Sequence, residues 1–278
     1  MTIVTSSKSS LNWIVLLYVL AIHIGALFVL LPSNFRWSAV GLMLFLYWIT
    51  GGLGITLGWH RLVTHRSFQT PKWLEYFFVF CGTLALQGSP IEWIGLHRNH
   101  HTHSDQKPDQ HDSGKGFWWS HMLWMFYDIP AKAEVSRLTK DISNDRVYQF
   151  FDKYFFHIQV VFAVLLYLMG GWSFVVWGVF FRLVFVYHCT WFVNSATHKF
   201  GYRTYDTNDR STNCWWVALL TYGEGWHNNH HAYQYSARHG MKWWEFDMTW
   251  MTIRFLQAIG LAQKVKLVGN TASNSKFK

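Results

Sequence analysis

Acidic residues are scarce and late in this chain. No Asp or Glu occurs before Glu75, and the 278 residues hold 15 of them against 24 Lys and Arg, for a formal net charge of +9. Cysteine is almost missing. Cys81, Cys189 and Cys214 form no CxxC pair and are odd in number, which argues against a disulfide framework and leaves them as packing residues. The basic excess does not point to nucleic acid, because the charge is dispersed and no binding motif accompanies it.

The chain is rich in apolar and aromatic residues. It is 51% hydrophobic and 19% aromatic, with 18 Trp, yet its mean hydropathy is only +0.05, so a substantial part must face water. Trp and Tyr favour the membrane interface, where an apolar ring and a polar N–H or O–H are both satisfied. Four apolar stretches read as membrane spans: about 11–31, 37–59, 154–169 and 172–193. The first is too long for a signal peptide. Pro32–Asn34 and Gly170–Gly171 supply tight turns, and Gly54 with Gly58 forms a GxxxG suited to close helix contact. The run Phe77–Leu86 is too short to span and reads as interfacial. Phe117, Trp118, Trp119, Trp124 and Phe126 read as an interfacial aromatic surface, and Trp243–Leu261 as an amphipathic segment.

Among the 24 Lys and Arg, only Arg36 and Arg182 fall within or between those stretches. By the positive-inside rule, both polar blocks, 60–153 and 194–269, form one cytoplasmic helical cap, followed by a polar tail 270–278. The expected fold is an all-α integral membrane protein of one domain, 1–278, with four transmembrane helices under that cap. Arg182 lies inside a span, which makes it a functional suspect or one member of an internal pair.

Histidine is where the chemistry concentrates. In HRNHH, His97, His100 and His101 stand at i, i+3 and i+4, which an α-helix places on one face. The same spacing recurs in HNNHH as His227, His230 and His231, and HRLVTH adds His60 and His65. Eight imidazoles exceed what one ion takes and suit two ions with open positions. The lack of an obvious bridging carboxylate separates the set from carboxylate-rich di-iron bundles. Glu92, Asp105 and Glu224 are the nearest carboxylates that could orient the imidazoles. His23, His103, His111, His121, His157, His188 and His239 read as ordinary packing or surface residues.

HRLVTHRSF, HRNHHTHSD and GEGWHNNHH resemble the three histidine boxes of the membrane fatty-acid desaturases. The chain is similar to their Δ9 acyl-CoA and acyl-lipid branch, which NSATHKFGYR also matches, and the resemblance runs from about residue 12 to 265. It implies two irons, O2 as co-substrate, and His60, His65, His97, His100, His101, His198, His227, His230 and His231 as metal ligands, with Asn194 acting through a metal-bound water. Gln87, Trp93, Thr190 and Trp191 match residues lining the bend of the acyl tunnel. The reaction implied is a cis double bond at carbon nine of a saturated C16 or C18 acyl chain.

One departure is informative. The animal acyl-CoA branch carries an Arg-Asp pair just before its second box, where this chain has Gly95 and Leu96. That favours a lipid-bound acyl chain, as in the cyanobacterial acyl-lipid enzymes, over an acyl-CoA. No HPGG haem motif is present, so electrons are expected from a separate protein, ferredoxin or alternatively cytochrome b5. A cyanobacterial origin would place the protein in the thylakoid or plasma membrane. The rival readings are a related di-iron hydroxylase or ketolase, and a histidine-rich metal transporter.

Overall fold

Helices α1 and α2 are apolar, are joined by a short turn, and both pack against residues 176–181. The computed structural model describes residues 10–127 and 132–269, so the expected polar tail at 270–278 lies outside them. Asn12 starts α1, Trp13–Leu27, by accepting from the Val15 amide at 3.2 Å. After the turn at Pro32–Asn34, α2 runs from Trp37 to Thr64, 28 residues long. It therefore carries His60 inside the helix instead of ending at Trp59.

The chain then folds α3 (Lys72–Thr83) and α4 (Pro90–His103), the short α5 (Phe117–His121) and α6 (Lys132–Leu138). Pro90 at the first position and Ser89 as cap, accepting from the Glu92 amide at 3.3 Å, fix where α4 begins. Helix α7, Arg146–Val175, is broken by non-helical backbone at Gly171 and leads through Val176–Phe181 into α8, Arg182–Ser195. Three short helices complete the cap: α9 (Trp215–Leu220), α10 (His227–Ala232) and α11 (Met248–Ala258). The amphipathic segment expected over Trp243–Leu261 is helical only in α11. Among the described residues, β structure is limited to isolated bridges such as Gln69 with Gln263.

The count of spans needs correction. Three helical stretches, not four, are long and apolar enough to cross a membrane: Trp13–Leu30, Trp37–Thr64 and Arg146–His198. The third covers 53 residues because two helices meet at Gly171 (φ 69°, ψ −159°), where the chain bends back with no loop between them. The reversal shows in its contacts. A methyl placed on Gly178 would meet Leu166 Cδ1 at 2.8 Å. In a straight helix, residues twelve apart stand roughly 18 Å from one another. Positive φ costs glycine little, so the run turns without a separate loop.

Exposed apolar side chains line these stretches, among them Leu17, Leu20, Ile24, Val161, Val164 and Leu168. A continuous belt of that kind fits a lipid surface better than water. Arg182 is fully buried inside the belt. It donates to Gly178 O, Thr50 Oγ1 and Leu84 O at 2.6, 3.0 and 2.9 Å, tying α8 to α2 and to the end of α3. Glycine brings α2 and α3 into near backbone contact: a methyl on Gly54 would lie 2.3 Å from Gly82 N. Trp59 packs over Gly82 and donates to Val79 O at 3.1 Å. The spacing Gly54–Gly58 thus marks a close approach between helices.

Candidate metal centre

The first pair of histidines needs an unusual helix. His60 and His65 are five residues apart, which an ordinary α-helix would set about 140° from one another. From Trp48 to Thr64 α2 widens to i→i+5 hydrogen bonding, seen where the His65 amide donates to His60 O at 3.1 Å. That wider turn returns the fifth residue to the same face, and the two rings stand 4.7 Å apart, edge to face.

The repeated HxxHH spacing proves to be a divider between two clusters. On α4, His97 and His101 turn to one side with Nε2 atoms 3.0 Å apart, while His100 turns to the other. On α10 the division is reversed. His230 joins His97 and His101, with its Nε2 3.0 Å from His101 Nε2 and 3.2 Å from His60 Nε2. His227 and His231 join His100 and His198 instead. Two groups result, His60, His65, His97, His101 and His230, and His100, His198, His227 and His231, each with donor atoms within 4.8 Å of one another.

The residues between the histidines hold these helices in place. Arg98 donates to Val63 O and Leu138 O, both at 2.7 Å, and to Asp141. Asn228 Oδ1 accepts from the Thr204 and Tyr205 amides at 2.7 and 2.8 Å. Asn229 donates to His239 O and Glu245 Oε2, both at 2.9 Å.

Carboxylates fix the ring orientations. Nδ1 of His100, His198 and His231 lies 2.9, 3.0 and 2.8 Å from Asp109, Asp105 and Asp209. His60 Nδ1 lies 2.8 Å from Glu224, which also takes Arg61 Nε at 2.9 Å. A carboxylate on Nδ1 leaves Nε2 with a free lone pair, the usual second partner of a metal-ligating histidine. Sequence reasoning had named Asp105 and Glu224. It missed Asp109 and Asp209, which reach their histidines over 9 and 22 residues of chain. Glu92 sits exposed on the first turn of α4.

The donor set fits metal ions. Buried Nε2 atoms of His65, His100, His198, His227 and His231 have no hydrogen-bond partner, an arrangement proteins avoid unless something else binds the lone pair. Imidazole nitrogens about 2.0–2.1 Å from one ion stand about 3 Å apart when at right angles, which matches the 3.0 and 3.2 Å separations in the first group. Burial, reinforced by neighbouring imidazoles, drives the pKa values of His97, His101, His227 and His230 well below the ordinary imidazole value. They are held neutral, as ligands must be. His231 falls to about 4 through burial, against the pull of Asp209. Burial also opposes charge on His100, but Asp109 outweighs it and raises that group. Asp105 and Asp209 lie far below the usual carboxylate range because their paired imidazoles and nearby donors outweigh burial.

A narrow, largely apolar cavity reaches the centre. Tyr47, Gly51 and Ile55 of α2 and Val186, Cys189 and Thr190 of α8 line it on the way to His60, His97, His227 and Asn194. Trp93 also lines it, stacked on His97 with ring centres 5.1 Å apart. Gln87 ties two wall residues together, donating to Thr190 Oγ1 at 2.8 Å and accepting from Trp93 Nε1 at 3.2 Å. Trp191 is buried elsewhere, among Tyr187, His188, His121 and His23, and is not one of the lining residues.

The "Fatty acid desaturase" family model matches residues 35–254. The chain is 70% identical over 267 residues to an sn-1 stearoyl-lipid 9-desaturase of Anabaena variabilis, covering 96% of this chain and 98% of that protein. It is 62% identical to an sn-1 stearoyl-lipid 9-desaturase of Synechocystis, over 95% of this chain and 83% of the other. A sn-2 palmitoyl-lipid 9-desaturase of Nostoc is 51% identical over 93% and 92% of the two chains. With the family model spanning most of its length and its histidines gathered in two clusters at the end of an apolar cavity, this chain belongs to the fatty acid desaturase family, whose members are oxidoreductases.

Proposed function

We propose that the protein is an O2-dependent Δ9 desaturase that places a cis double bond in a saturated C16 or C18 acyl chain while that chain is part of a membrane lipid. The observation that carries this reading is the meeting of nine buried or half-buried imidazoles with the apolar cavity. His60, His65, His97, His101 and His230 would hold one iron, and His100, His198, His227 and His231 the other. Asn194, in the cavity wall beside His227, would hold a water toward the second. When bound, the irons supply the oxidising power by which O2, two electrons and two protons remove two hydrogens from adjacent methylenes and leave as two waters.

The chain's own residues select the substrate. The cavity excludes water along its apolar walls and accepts an unbranched tail. Trp93 and Thr190, joined through Gln87, form a rigid corner beside His97 and fix which carbons stop there. A lipid-bound substrate is favoured by the ground before the second box. Gly95 is buried, and a methyl there would meet Val135 Cγ1 at 2.7 Å, so the position cannot carry an arginine facing a CoA phosphate. The 9-desaturase names of the relatives, two stearoyl-lipid and one palmitoyl-lipid, agree with this choice.

The membrane-embedded stretches and the basic balance of the polar blocks favour a cytoplasmic face for the centre, in a thylakoid or plasma membrane if the source is cyanobacterial. Electrons would come from a small acidic carrier, ferredoxin before cytochrome b5, matched to a chain of net charge +9.

Expression in a host lacking desaturases, followed by mass spectrometry of intact lipids, tests the reading. The expected product is a lipid lighter by two hydrogens with its double bond at carbon nine. A product that has gained oxygen would assign the chain to hydroxylation. In a purified, reduced system with ferredoxin, turnover of stearoyl-CoA but not of a stearoyl glycerolipid would establish the acyl-CoA alternative.

A further inference from the structure

Nine histidines fill the two clusters, and two more touch them: His111, against His100 with ring centres 4.2 Å apart, and His239. His239 has no place in a histidine box, yet it is completely buried and its ring lies against that of His230, centres 4.4 Å apart at 32°. Its Nδ1 lies 3.0 Å from Glu224 Oε2, the same oxygen that receives His60 Nδ1 at 2.8 Å. Both contacts are at ion-pair distance without aligned N–H···O geometry, so Oε2 is bracketed electrostatically by two ring nitrogens. Arg61 holds the other oxygen, Oε1, at 2.9 Å, and is itself gripped by Asp247 and Ala237 O. Asp247 also accepts from the His239 amide at 2.8 Å, so the backbone and the side chain of His239 are fixed by the same assembly.

The arrangement differs from that at the other cluster. There Asp105, Asp109 and Asp209 each hold the Nδ1 of a separate cluster histidine, and the second histidine beside Asp109, His111, stands 3.7 Å from its other oxygen. Glu224 instead divides one oxygen between a cluster histidine and His239. A carboxylate held by Arg61 alone could swing its free oxygen about the remaining torsion. A second ring nitrogen 3.0 Å from Oε2 limits that freedom, and with it the direction from which His60 is held.

We propose that His239 is a positioning residue for the five-histidine cluster, acting through the shared oxygen of Glu224 to set the orientation of His60. This rests on the reading that the cluster holds a metal. Loss of a partner behind a ligand weakens metal binding by about 10–100-fold. The effect should fall on one ion of the two, because His239 reaches His60 and His230 but no member of the second cluster through Glu224.

The test compares His239→Leu, which fills the space without a donor, with His239→Gln, whose amide can donate to Glu224. Purified full-length protein is loaded with iron-57, its metal content measured against a competing chelator, and its Mössbauer spectrum recorded. In the Leu variant, one ion should bind about 10–100-fold more weakly and one spectral component should change, while the other ion and component stay as in the parent. The Gln variant should recover most of both. Wild-type affinity in the Leu variant would overturn the proposal. So would a Gln variant as impaired as the Leu variant, or a chain that fails to insert in both cases, since packing and not the contact with Glu224 would then be what matters. A parent protein binding fewer than two metals would instead sink the ligand reading itself.

Discussion

Replacing Gly54 by alanine adds one methyl at the tightest point between α2 and α3. That carbon would lie 2.3 Å from Gly82 N, 2.5 Å from the Cys81 carbonyl carbon and 2.6 Å from Gly82 Cα. Carbon contacts are comfortable at about 3.5–4.0 Å, so the deficit is about an ångström. All three obstacles are backbone atoms and cannot rotate aside, so the helices must part. Trp59, which lies over Gly82 and donates to Val79 O, moves with them, and His60 is the next residue. Overpacking of this kind costs about 1–3 kcal/mol. The expected outcome is a lower thermal midpoint in detergent, followed by tryptophan fluorescence, and loss of metal from the cluster that contains His60. Gly41→Ala on the same helix is the control, because nothing lies within 4 Å of the added carbon. A Gly54→Ala protein with the parent's midpoint and full metal content would refute the claim that this crossing positions the centre.

Three further outcomes follow from the geometry. Asp209→Asn replaces the acceptor of His231 Nδ1 and should weaken metal binding by about 10–100-fold in a chelator competition while the protein still inserts. Gln87→Leu breaks the link between Thr190 and Trp93. The double bond should then spread over neighbouring positions, or the rate fall, with metal content unchanged; an unaltered product and rate would remove Gln87 from the corner. An accessibility label at Asp206, the fully exposed tip of a cap loop, should react only from the cytoplasmic side of sealed vesicles, and labelling from the opposite side would reverse the topology proposed here.

How far the sequence could be read depends on how local each feature is. The histidine boxes are local, and their spacing alone indicated two ions. What the repeated HxxHH does, sending two rings to one cluster and one to the other, depends on two helices meeting and is visible only in three dimensions. HxxxxH was legible as a box but gave no warning that α2 must widen to bring both rings to one face. Asp105 and Glu224 stand close to box residues in sequence and were named. Asp109 and Asp209 reach their targets through loops, with no helical period to give them away. His239 looked ordinary because its partners, Glu224 and Asp247, lie 15 and 8 residues off with no shared helix. The turn at Gly170–Gly171 was expected from composition. That two helices would meet there with no loop between them was not, because that depends on the φ that Gly171 adopts.

The ring of carboxylates behind the histidines also sets an electrical balance. Neutral imidazoles bring no charge to two divalent ions, which would leave four positive charges deep in a protein interior. Asp105, Asp109, Asp209, Glu224 and Asp247 bring five negative charges to the histidines and to Arg61, and Arg61 returns one positive. Four remain, so the assembly is neutral when both ions are divalent. Each electron withdrawn leaves an uncompensated charge in a medium of low dielectric, where isolated charge is costly. A redox-active pair of ions held there would therefore be favoured in its divalent form. Without its metals it holds four surplus negative charges, which draw divalent cations toward the site.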